Sequence, residues 1–545
     1  MKGFWIPVLH SHLPFVKHPE YDYFLEEHWL FEAITETYIP LLMRLKKLED
    51  EKVDFRLTVS ITPPLSEMLS DTHLMEKYKK YLNRFEELTE KEIERTKGDE
   101  TFNRLANFYN KRIKEIKEFF YGFLKENVLN GYRYFREKGL LEIITCGATH
   151  GFLPLLSPNK KSVQIQIKVA VENYEKHFGE KPKGIWLPES AYYVGLDEIL
   201  AENGIEYFFL DAHGIIFGKP KPVYGVYAPV FTPSGVAAFG RDTESSKQVW
   251  SSKEGYPGDP YYRDFYRDIG YDLDFNYIKP YISPDGVRVY TGVKYYRITG
   301  DVNLGDKEPY IPEVAQERAV EHAKHFHWSR ELQFEYLSKN MDRTPVVVSP
   351  YDAELFGHWW FEGVDFLYYL FKEIDRHKQF KAITPKEYLQ MYKTNQLQQP
   401  SPSSWGDKGY YYVWLNGGND WIYRHLHYMA DEMEKLAHIY MKETDPIKIR
   451  TLNQMLRELL LAQSSDWAFL ITTKTARAYA EKRTKEHINN FLKLKDMLIS
   501  GNFDKEFIKW LEYKNGIFPE LDFKSLYGGK NEDKGLHRTR LEKQS

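Results

Sequence analysis

The stretch GIWLPESAYY, residues 184–193, joins a short apolar run to a single carboxylate and indicates what kind of sheet the chain forms. Its first four residues are typical of a short strand that is covered on both faces of a sheet. Glu189 follows directly after a proline and precedes two tyrosines. A solvated surface glutamate needs no such neighbours, so Glu189 is a candidate functional residue. The alternative is an ordinary carboxylate near a helix N-terminus, where the helix dipole favours it.

Six other short apolar runs also end in polar or aromatic residues and are followed by helix-like sequence. Strands of this length that alternate with helices predict a parallel sheet, and seven such units favour a barrel. Enzymes of this architecture build their active sites on the loops that follow the strands. The six runs are Phe4–Leu9, Val53–Ile61, Leu141–Cys146, Tyr207–Leu210, Val346–Val348 and Phe380–Ile383.

Two segments depart from the alternating pattern and predict additional domains. One is rich in Lys and Glu with apolar residues at helical spacing, which predicts an inserted helical subdomain. After residue 395 the strand signals stop, and helical sequence runs from about residue 421 to 498. The predicted domains are a barrel at 1–71 and 139–395, a helical insertion at 72–138, a C-terminal helical domain at 396–527 and a flexible tail at 528–545.

Composition limits the class of protein. A chain of 545 residues is expected to form two or three domains, and a net charge of −4 gives no basic field for nucleic acid. The single cysteine, Cys146, excludes an internal disulfide and a cysteine-based zinc site. The sequence has neither a membrane-spanning apolar run nor a signal-peptide core, which predicts a soluble, cytoplasmic protein. The aromatic content of 16% suits either a large core or a groove that binds sugars.

His10 and His12 flank one serine directly after the first predicted strand. Residues two apart in an extended segment face the same side, so both rings could line one pocket. As zinc ligands the pair would need a third partner, for which His150, Asp211 and His213 are candidates. The alternative is that both rings hydrogen-bond a substrate or each other without a metal.

Asp352 lies in VVVSPYDAELFGHWWFEG, residues 346–363, where a strand ends among closely spaced rings. Crowded rings raise the pKa of a carboxyl group toward the range that suits a general acid. Two carboxylates at separate strand ends, such as Asp352 and Glu189, are what the cleavage of a glycosidic bond requires. The sequence has no phosphate-binding glycine loop and no nucleophile elbow, which argues against phosphate chemistry and serine hydrolysis.

Five separated motifs carry a resemblance to glycoside hydrolase family 57, over about residues 3–500. Among its members, the 1,4-α-glucan branching enzymes are the most similar. Five motifs in the same order are far more specific than any one of them. They are VLHSHLP (8–14), CGATHGFLPLL (146–156), GIWLPES (184–190), PYDAELFGHWW (350–360) and QSSDWAF (463–469).

The resemblance implies an incomplete (β/α)7 barrel with a small helical insertion and a C-terminal all-helical domain. It also implies a retaining enzyme that acts on α-1,4-glucans such as amylose, glycogen or maltooligosaccharides, without metal or other cofactor. Glu189 matches the nucleophile and Asp352 the general acid/base, and retention predicts carboxyl groups about 5–5.5 Å apart. His10, His12 and His150 match residues of the sugar site, and Asp466 matches a residue of the C-terminal domain that completes it.

Aromatic residues are the remaining candidates for binding the glucan. For each of them the alternative is ordinary packing. The resemblance implies stacking rings at Trp405 and Trp414 from the C-terminal domain and at Trp250 and Tyr271 from the barrel. Trp359 and Trp360, among the rings that follow Asp352, are further candidates for binding the substrate.

A glycosyl-enzyme intermediate leaves the product open, because the acceptor decides it. Water gives hydrolysis, a sugar 4-hydroxyl gives disproportionation and a 6-hydroxyl gives an α-1,6 branch. The fourth motif and the loop at 405–414 resemble the branching members, so we predict branching. The stretch 241–255, where such members are expected to carry a tyrosine, has none, so an amylase-like or 4-α-glucanotransferase activity stays the alternative. A zinc-dependent carbohydrate hydrolase or deacetylase is a remote alternative, because HSHLP lacks the aspartate of those metal sites.

Overall fold

The computed structural model describes residues 1–251 and 254–528, so all but the first residue of the predicted tail lies outside the described residues. The chain divides into two compact units. The first contains Met1–Thr145, Pro182–Trp186 and Ile205–Ser401, and the second contains Cys146–Lys181, Leu187–Gly204 and the residues from Pro402 onward. The domain boundaries given above stay predictions. None of the described helices is long and apolar enough to cross a membrane.

All ten strands of the described chain belong to the first unit and form two five-stranded sheets. The first sheet has the order β3-β2-β1-β8 with β9 also paired to β1, and the second has the order β10-β6-β7-β5-β4. The strands are β1 Phe4–Ser11, β2 Leu57–Ile61, β3 Leu141–Ile144, β4 Gly184–Ile185, β5 Tyr207–Leu210, β6 Val230–Phe231, β7 Ala237–Gly240, β8 Val346–Asp352, β9 Lys381–Ala382 and β10 Gln396–Leu397.

Seven of these strands, β1 to β5, β7 and β8, run parallel and follow one another around an incomplete barrel. Backbone hydrogen bonds connect the two sheets, from Thr145 N to Gly184 O at 3.2 Å and from Asp242 N to Val348 O at 2.8 Å. All eight residues of β1 are buried, as expected for a parallel strand covered on both faces. The predicted (β/α)7 architecture is therefore confirmed.

The helices of the first unit pack around the barrel, and three of them fill the predicted insertion. Asp71, Asp99 and Asn127 cap these three helices by accepting backbone N–H groups of the first turn. The helices are α1 Glu27–Ala33, α2 Ile39–Asp50, α3 Pro63–Ser70, α4 Thr72–Arg95, α5 Glu100–Gly122, α6 Val128–Glu137, α10 Ala212–Ile216, α11 Thr243–Trp250, α12 Ile269–Asp272, α13 Phe275–Ile278, α14 Pro312–Asn340, α15 Gly363–His377 and α16 Pro385–Met391. A π-helix, Ile34–Tyr38, joins α1 to α2, and 3₁₀ turns lie at Tyr256–Gly258, Lys279–Tyr281, Leu304–Asp306 and Ala353–Leu355.

The second unit is helical in its described part and includes the predicted C-terminal helices. Its central helix, α18, is buried along its last turns and packs mainly against α20. The helices are α7 Leu153–Leu156, α8 Lys160–Phe178, α9 Leu196–Glu202, α17 Trp421–Ile439, α18 Pro446–Ala462, α19 Ser465–Thr473, α20 Arg477–Ser500, α21 Lys505–Lys514 and α22 Phe523–Tyr527, with 3₁₀ turns at Pro188–Ser190 and Asp407–Gly409.

Candidate active site

In the first unit, His10 lies at the carboxyl end of β1 between two neighbouring strands. The strand register places it opposite Ser60 of β2 and Asp352 of β8. Its Nδ1 shares a hydrogen bond of 3.2 Å with Ser60 Oγ, and its ring stacks on Trp186 at 5.3 Å between centroids. His10 is 2% exposed, so these contacts fix the orientation of its ring.

His12 is two residues further along and faces the same side. The rings of His10 and His12 stack with centroids 5.7 Å apart and planes at 19°. His12 Nδ1 shares a hydrogen bond of 3.1 Å with Thr62 Oγ1, and its backbone N–H donates to Glu354 Oε1 at 3.2 Å. The chain direction thus brings both histidines of the first motif to the strand end that carries Asp352.

Glu354, two residues after Asp352 in the fourth motif, is a buried carboxylate. It accepts hydrogen bonds from the Tyr38 hydroxyl and from the His12 backbone. Burial raises the pKa of Glu354 above its ordinary value, although both donors act to lower it. The sequence around Tyr38 carries no motif, so only the fold could reveal this contact.

The π-helix Ile34–Tyr38 holds the segment that follows Asp352. Its Glu36 accepts a hydrogen bond from Arg263 Nη2 at 3.0 Å and pairs with His358 Nδ1 at 2.6 Å. Burial acts to raise the pKa of Glu36, but Arg263 and His358 together lower it to about 2. Gly357 has φ 106°, and a Cβ there would lie 1.9 Å from Glu36 O, so this position requires glycine. Single π-turns of this kind are frequent at functional sites.

The predicted aromatic residues of the first unit differ in exposure. Trp359 is 54% exposed and stacks on Phe265 at 4.4 Å, and Tyr271 is 48% exposed. Trp250 is half-buried at the end of α11. Trp360 is only 1% exposed. Its assignment as a sugar-binding ring is therefore corrected to a core residue.

Asp211 and His213, which the sequence offered as third metal ligands, contact each other and an arginine. His213 Nδ1 lies 3.1 Å from Asp211 Oδ1, and Arg241 Nη1 donates to Asp211 Oδ2 at 3.1 Å. Burial acts to raise the pKa of Asp211, but these two partners lower it below its ordinary value. Each carboxylate oxygen of Asp211 thus has a protein partner, which argues against Asp211 as a metal ligand.

In the second unit, Glu189 is held through both carboxylate oxygens. Trp405 Nε1 donates to Oε2 at 2.9 Å, and Ser465 Oγ donates to Oε1 at 3.3 Å. Donated hydrogen bonds stabilise the ionised carboxylate. Glu189 lies in the 3₁₀ turn Pro188–Ser190, and the next α-helix begins only at Leu196. The helix-terminus alternative for Glu189 is therefore wrong.

The backbone around Glu189 is strained. Glu189 has φ 60°, Ser190 has φ 51° and His150 has φ 59°, all in the left-handed region that non-glycine residues rarely adopt. Each such residue costs about 1–3 kcal/mol, and such residues cluster at active sites where the surrounding structure holds them. The three strained residues therefore mark this part of the second unit as a candidate functional region.

His150 and the fifth motif meet at this carboxylate. His150 Nδ1 shares a hydrogen bond of 2.8 Å with Ser465 Oγ and lies 3.7 Å from Glu189 Oε1. The Ser465 backbone N–H donates to His150 O at 2.9 Å. The neighbouring Asp466 accepts a hydrogen bond of 2.5 Å from Ser464 Oγ. Sequence reasoning missed Ser465, although it lies next to Asp466 inside the quoted motif.

The two tryptophans of the loop at 405–414, Trp405 and Trp414, have different surroundings. Trp405 is half-buried, and its indole N–H donates a hydrogen bond to Glu189. Trp414 is 1% exposed, and its ring stacks on Phe152 at 4.5 Å between centroids. The sugar-stacking assignment of Trp414 is therefore corrected to packing within the second unit, because no sugar can reach its ring face in this structure.

Two tyrosines near the stretch 241–255 are engaged elsewhere. Tyr256 is buried and shares a hydrogen bond of 2.8 Å with His325 Nδ1. The Tyr224 hydroxyl donates to Asp342. Both hydroxyl groups therefore take part in hydrogen bonds within the first unit, and the tyrosine expected of branching members stays unassigned.

A parallel barrel with carboxylates and histidines after its strands defines the class of (β/α)-barrel enzymes. A comparison with family models identifies the family within this class. The chain belongs to glycosyl hydrolase family 57, whose model matches residues 6–401. A second model, described as the C-terminal part of 1,4-α-glucan branching enzymes, matches residues 425–526.

Known relatives cover nearly the whole chain. A 1,4-α-glucan branching enzyme of Thermococcus kodakarensis is 34% identical over 95% of this chain and 78% of its own length. The structure of the α-amylase AmyC of Thermotoga maritima is 50% identical with a TM-score of 0.91, covering 97% of this chain and 99% of its own. The structure of a branching enzyme of Pyrococcus horikoshii is 35% identical with a TM-score of 0.86, covering 97% and 98%.

Proposed function

We propose that the protein is a retaining 1,4-α-glucan branching enzyme. One observation carries the proposal: the segment that matches the branching-enzyme C-terminal model, residues 425–526, supplies Ser465, which donates to the carboxylate of Glu189. A nucleophile must be ionised and held in one orientation before it attacks. The hydrogen bonds from Trp405 and Ser465 fix the orientation of the Glu189 carboxylate.

In the first step, a Glu189 oxygen attacks the anomeric carbon of an α-1,4-linked glucose. The bond from that carbon to the 4-oxygen breaks, and Asp352 gives its proton to the departing oxygen. The products are a shortened glucan with a free 4-hydroxyl and a glycosyl ester on Glu189. The two carboxyl groups supply every proton and electron pair, so the step needs no metal or redox cofactor.

In the second step, the Asp352 carboxylate takes the proton of a glucan 6-hydroxyl. The 6-oxygen attacks the anomeric carbon, the ester bond to Glu189 breaks, and an α-1,6 branch forms. We assign His10, His12, His150 and Asp466 to contacts with sugar hydroxyls, and the exposed rings of Trp359 and Tyr271 to stacking on the glucan.

Hydrolysis is the second candidate function, and two specific observations favour it. The structure with 50% identity is that of a protein described as an α-amylase. The stretch 241–255 also contains no tyrosine. Water would then replace the 6-hydroxyl in the second step, while Glu189 and Asp352 would keep the same roles. Transfer to a 4-hydroxyl would be the third outcome of the same intermediate.

Proton NMR of amylose after incubation with the protein tests the proposal. Growth of the α-1,6 anomeric signal at constant reducing-end signal is expected for branching. Growth of the reducing-end signal alone would contradict branching and establish hydrolysis. A change in chain-length distribution with neither signal would mean disproportionation.

Mass spectrometry tests the retaining mechanism independently of the acceptor. A 5-fluoroglycosyl fluoride slows the second step and is expected to leave a glycosyl group on the peptide that contains Glu189. The experiment is repeated with the Asp352→Asn variant, in which the second step is slowed further. Labelling of another residue, or complete turnover by this variant without a labelled peptide, would contradict the assignment of Glu189.

A further inference from the structure

The C-terminal helices of the second unit enclose an open groove that the proposed catalytic chemistry does not use. It has a volume of about 430 Å³, which is within the range of ligand sites in proteins. One wall is α17, with Trp421, Arg424 and His425, and the other is α20. The α20 wall presents Arg477, Glu481, Lys485 and Asn489, with Ile488 beside them.

The helical spacing explains why these side chains share one face. The four polar residues of α20 are spaced at i, i+4, i+8 and i+12, which forms one row along the helix. At 1.5 Å per residue the row is about 18 Å long. Trp421 and His425 are likewise four residues apart on α17. The groove is therefore an elongated polar row opposite an aromatic side chain.

The row offers a ligand both hydrogen-bond donors and a hydrogen-bond acceptor. Arg477 Nε donates to Glu481 Oε1 at 2.8 Å, and Lys485 Nζ lies 3.7 Å from Glu481 Oε2. Sugar hydroxyls both donate and accept, so they can bind the carboxylate and the neighbouring N–H groups together.

Trp421 supplies the apolar surface that a sugar ring needs. Its side chain is half-buried, and one approach to its ring is taken by Lys485 Nζ at 5.6 Å. The lysine side chain is exposed and flexible, so it can move aside or hydrogen-bond a ligand at the ring edge. An aromatic ring with a few polar groups around it is the usual composition of a small-molecule site.

We propose that this groove is a second, non-catalytic binding site for an α-glucan chain. The inference rests on the proposed function for the class of substrate, and it adds a site that holds the polymer away from the reacting bond. Its length suits several consecutive sugar units rather than one. The site would raise the affinity for long glucans by avidity and leave the chemical steps unchanged.

Affinity electrophoresis of the full chain in native gels containing amylopectin tests this site. Trp421→Ala is expected to weaken retardation about tenfold, a change of about 1.4 kcal/mol. The matched control is Trp510→Ala, which removes a tryptophan of the same unit that is 41% exposed on α21. Each tryptophan variant is tested both in the otherwise wild-type protein and together with Glu189→Gln. In the second case turnover does not alter the polymer in the gel.

Kinetics provide the second readout. Trp421→Ala is expected to raise KM for long amylose several-fold, with kcat unchanged and with unchanged kcat/KM for a short maltooligosaccharide. Glu481→Gln, which preserves the shape of the groove, is expected to weaken retardation in the same direction. It keeps the test valid if Trp421→Ala does not fold.

Three outcomes would overturn the site. One is equal retardation of the Trp421 and Trp510 variants, the second is retardation unaffected by Glu481→Gln, and the third is release of the wild-type protein from the gel by inorganic phosphate. Retardation reports binding and NMR reports linkage, so the two proposals fail separately. Absence of α-1,6 signal with a persistent Trp421 effect would reject branching alone.

Discussion

The two proposed catalytic carboxylates lie in different units, and the structure around each of them differs. Glu189, in the helical unit, receives hydrogen bonds from Trp405 and Ser465 on a left-handed backbone. Asp352, in the barrel unit, ends a buried parallel strand, and the following segment is fixed by buried ion pairs of Glu36. A nucleophile needs donors that keep it ionised. An acid/base gives up a proton in the first step and takes one back in the second.

The largest effect is expected from a substitution of Glu189, the carboxylate that accepts hydrogen bonds from Trp405 and Ser465. Glu189→Gln removes the attacking oxygen charge, and kcat should fall by at least about 10⁴-fold, as for other nucleophile deletions. Glucan binding should persist in the amylopectin gel. The matched control is Glu198→Gln on an exposed residue of the same unit, which should be fully active. Turnover by Glu189→Gln within tenfold of wild type would reject the nucleophile role.

A substitution of Asp352 is expected to change both kcat and the pH profile of the activity. Asp352→Asn should lower kcat by about 10²–10⁴-fold, the range of general acid–base catalysis, and remove one limb of the pH profile. Activated substrates with a good leaving group should be affected less in the first step. Asp301→Asn, on an exposed residue of the same unit, is the control. A pH profile identical to that of the wild type would contradict the assignment.

The ion pairs behind Asp352 should contribute to stability more than to chemistry. Glu36→Gln leaves the buried Arg263 without its carboxylate partner, which typically costs about 3–5 kcal/mol of unfolding free energy. Urea denaturation near pH 7 measures this loss.

The pH dependence of that loss has a defined sign. The folded-state pKa of Glu36 is depressed to about 2 from an ordinary value of 4.5, so the carboxylate stabilises the fold above pH 4.5. This stabilisation is lost as the pH falls toward 2, and the difference between wild type and Glu36→Gln should narrow there. A difference that widens on acidification would contradict the depressed pKa.

The smallest expected effect separates Trp405 from Trp414, two tryptophans of the helical unit. Trp405→Phe removes one hydrogen bond to a charged group, worth about 1.5–3 kcal/mol, and should lower kcat about 10–100-fold without a large loss of stability. Trp414→Phe should lower the thermal stability and leave kcat nearly unchanged, because the Trp414 ring is buried against Phe152. Equal effects of the two substitutions on kcat and on thermal stability would contradict separate roles for Trp405 and Trp414.

Sequence reasoning succeeded where local pattern and global fold agree. The alternation of buried runs with helical segments predicted the parallel barrel, because strands covered on both faces are apolar throughout. It failed where side-chain environment depends on distant packing. Trp360 and Trp414 were quoted as sugar-binding rings, yet both are 1% exposed. An aromatic residue in a motif does not reveal which of its faces another segment covers.

The sequence alone determined the family, the barrel and the positions of the two carboxylates, because these depend on periodicity and on motifs of adjacent residues. Only the tertiary structure decided how those carboxylates are held. Ser465 binds Glu189 from 276 positions away, and Tyr38 binds Glu354, two residues after Asp352, from 316 positions away. The geometry of such contacts follows from chain packing, which adjacent residues do not encode, so the supports of Glu189 and Asp352 emerge only in the folded chain.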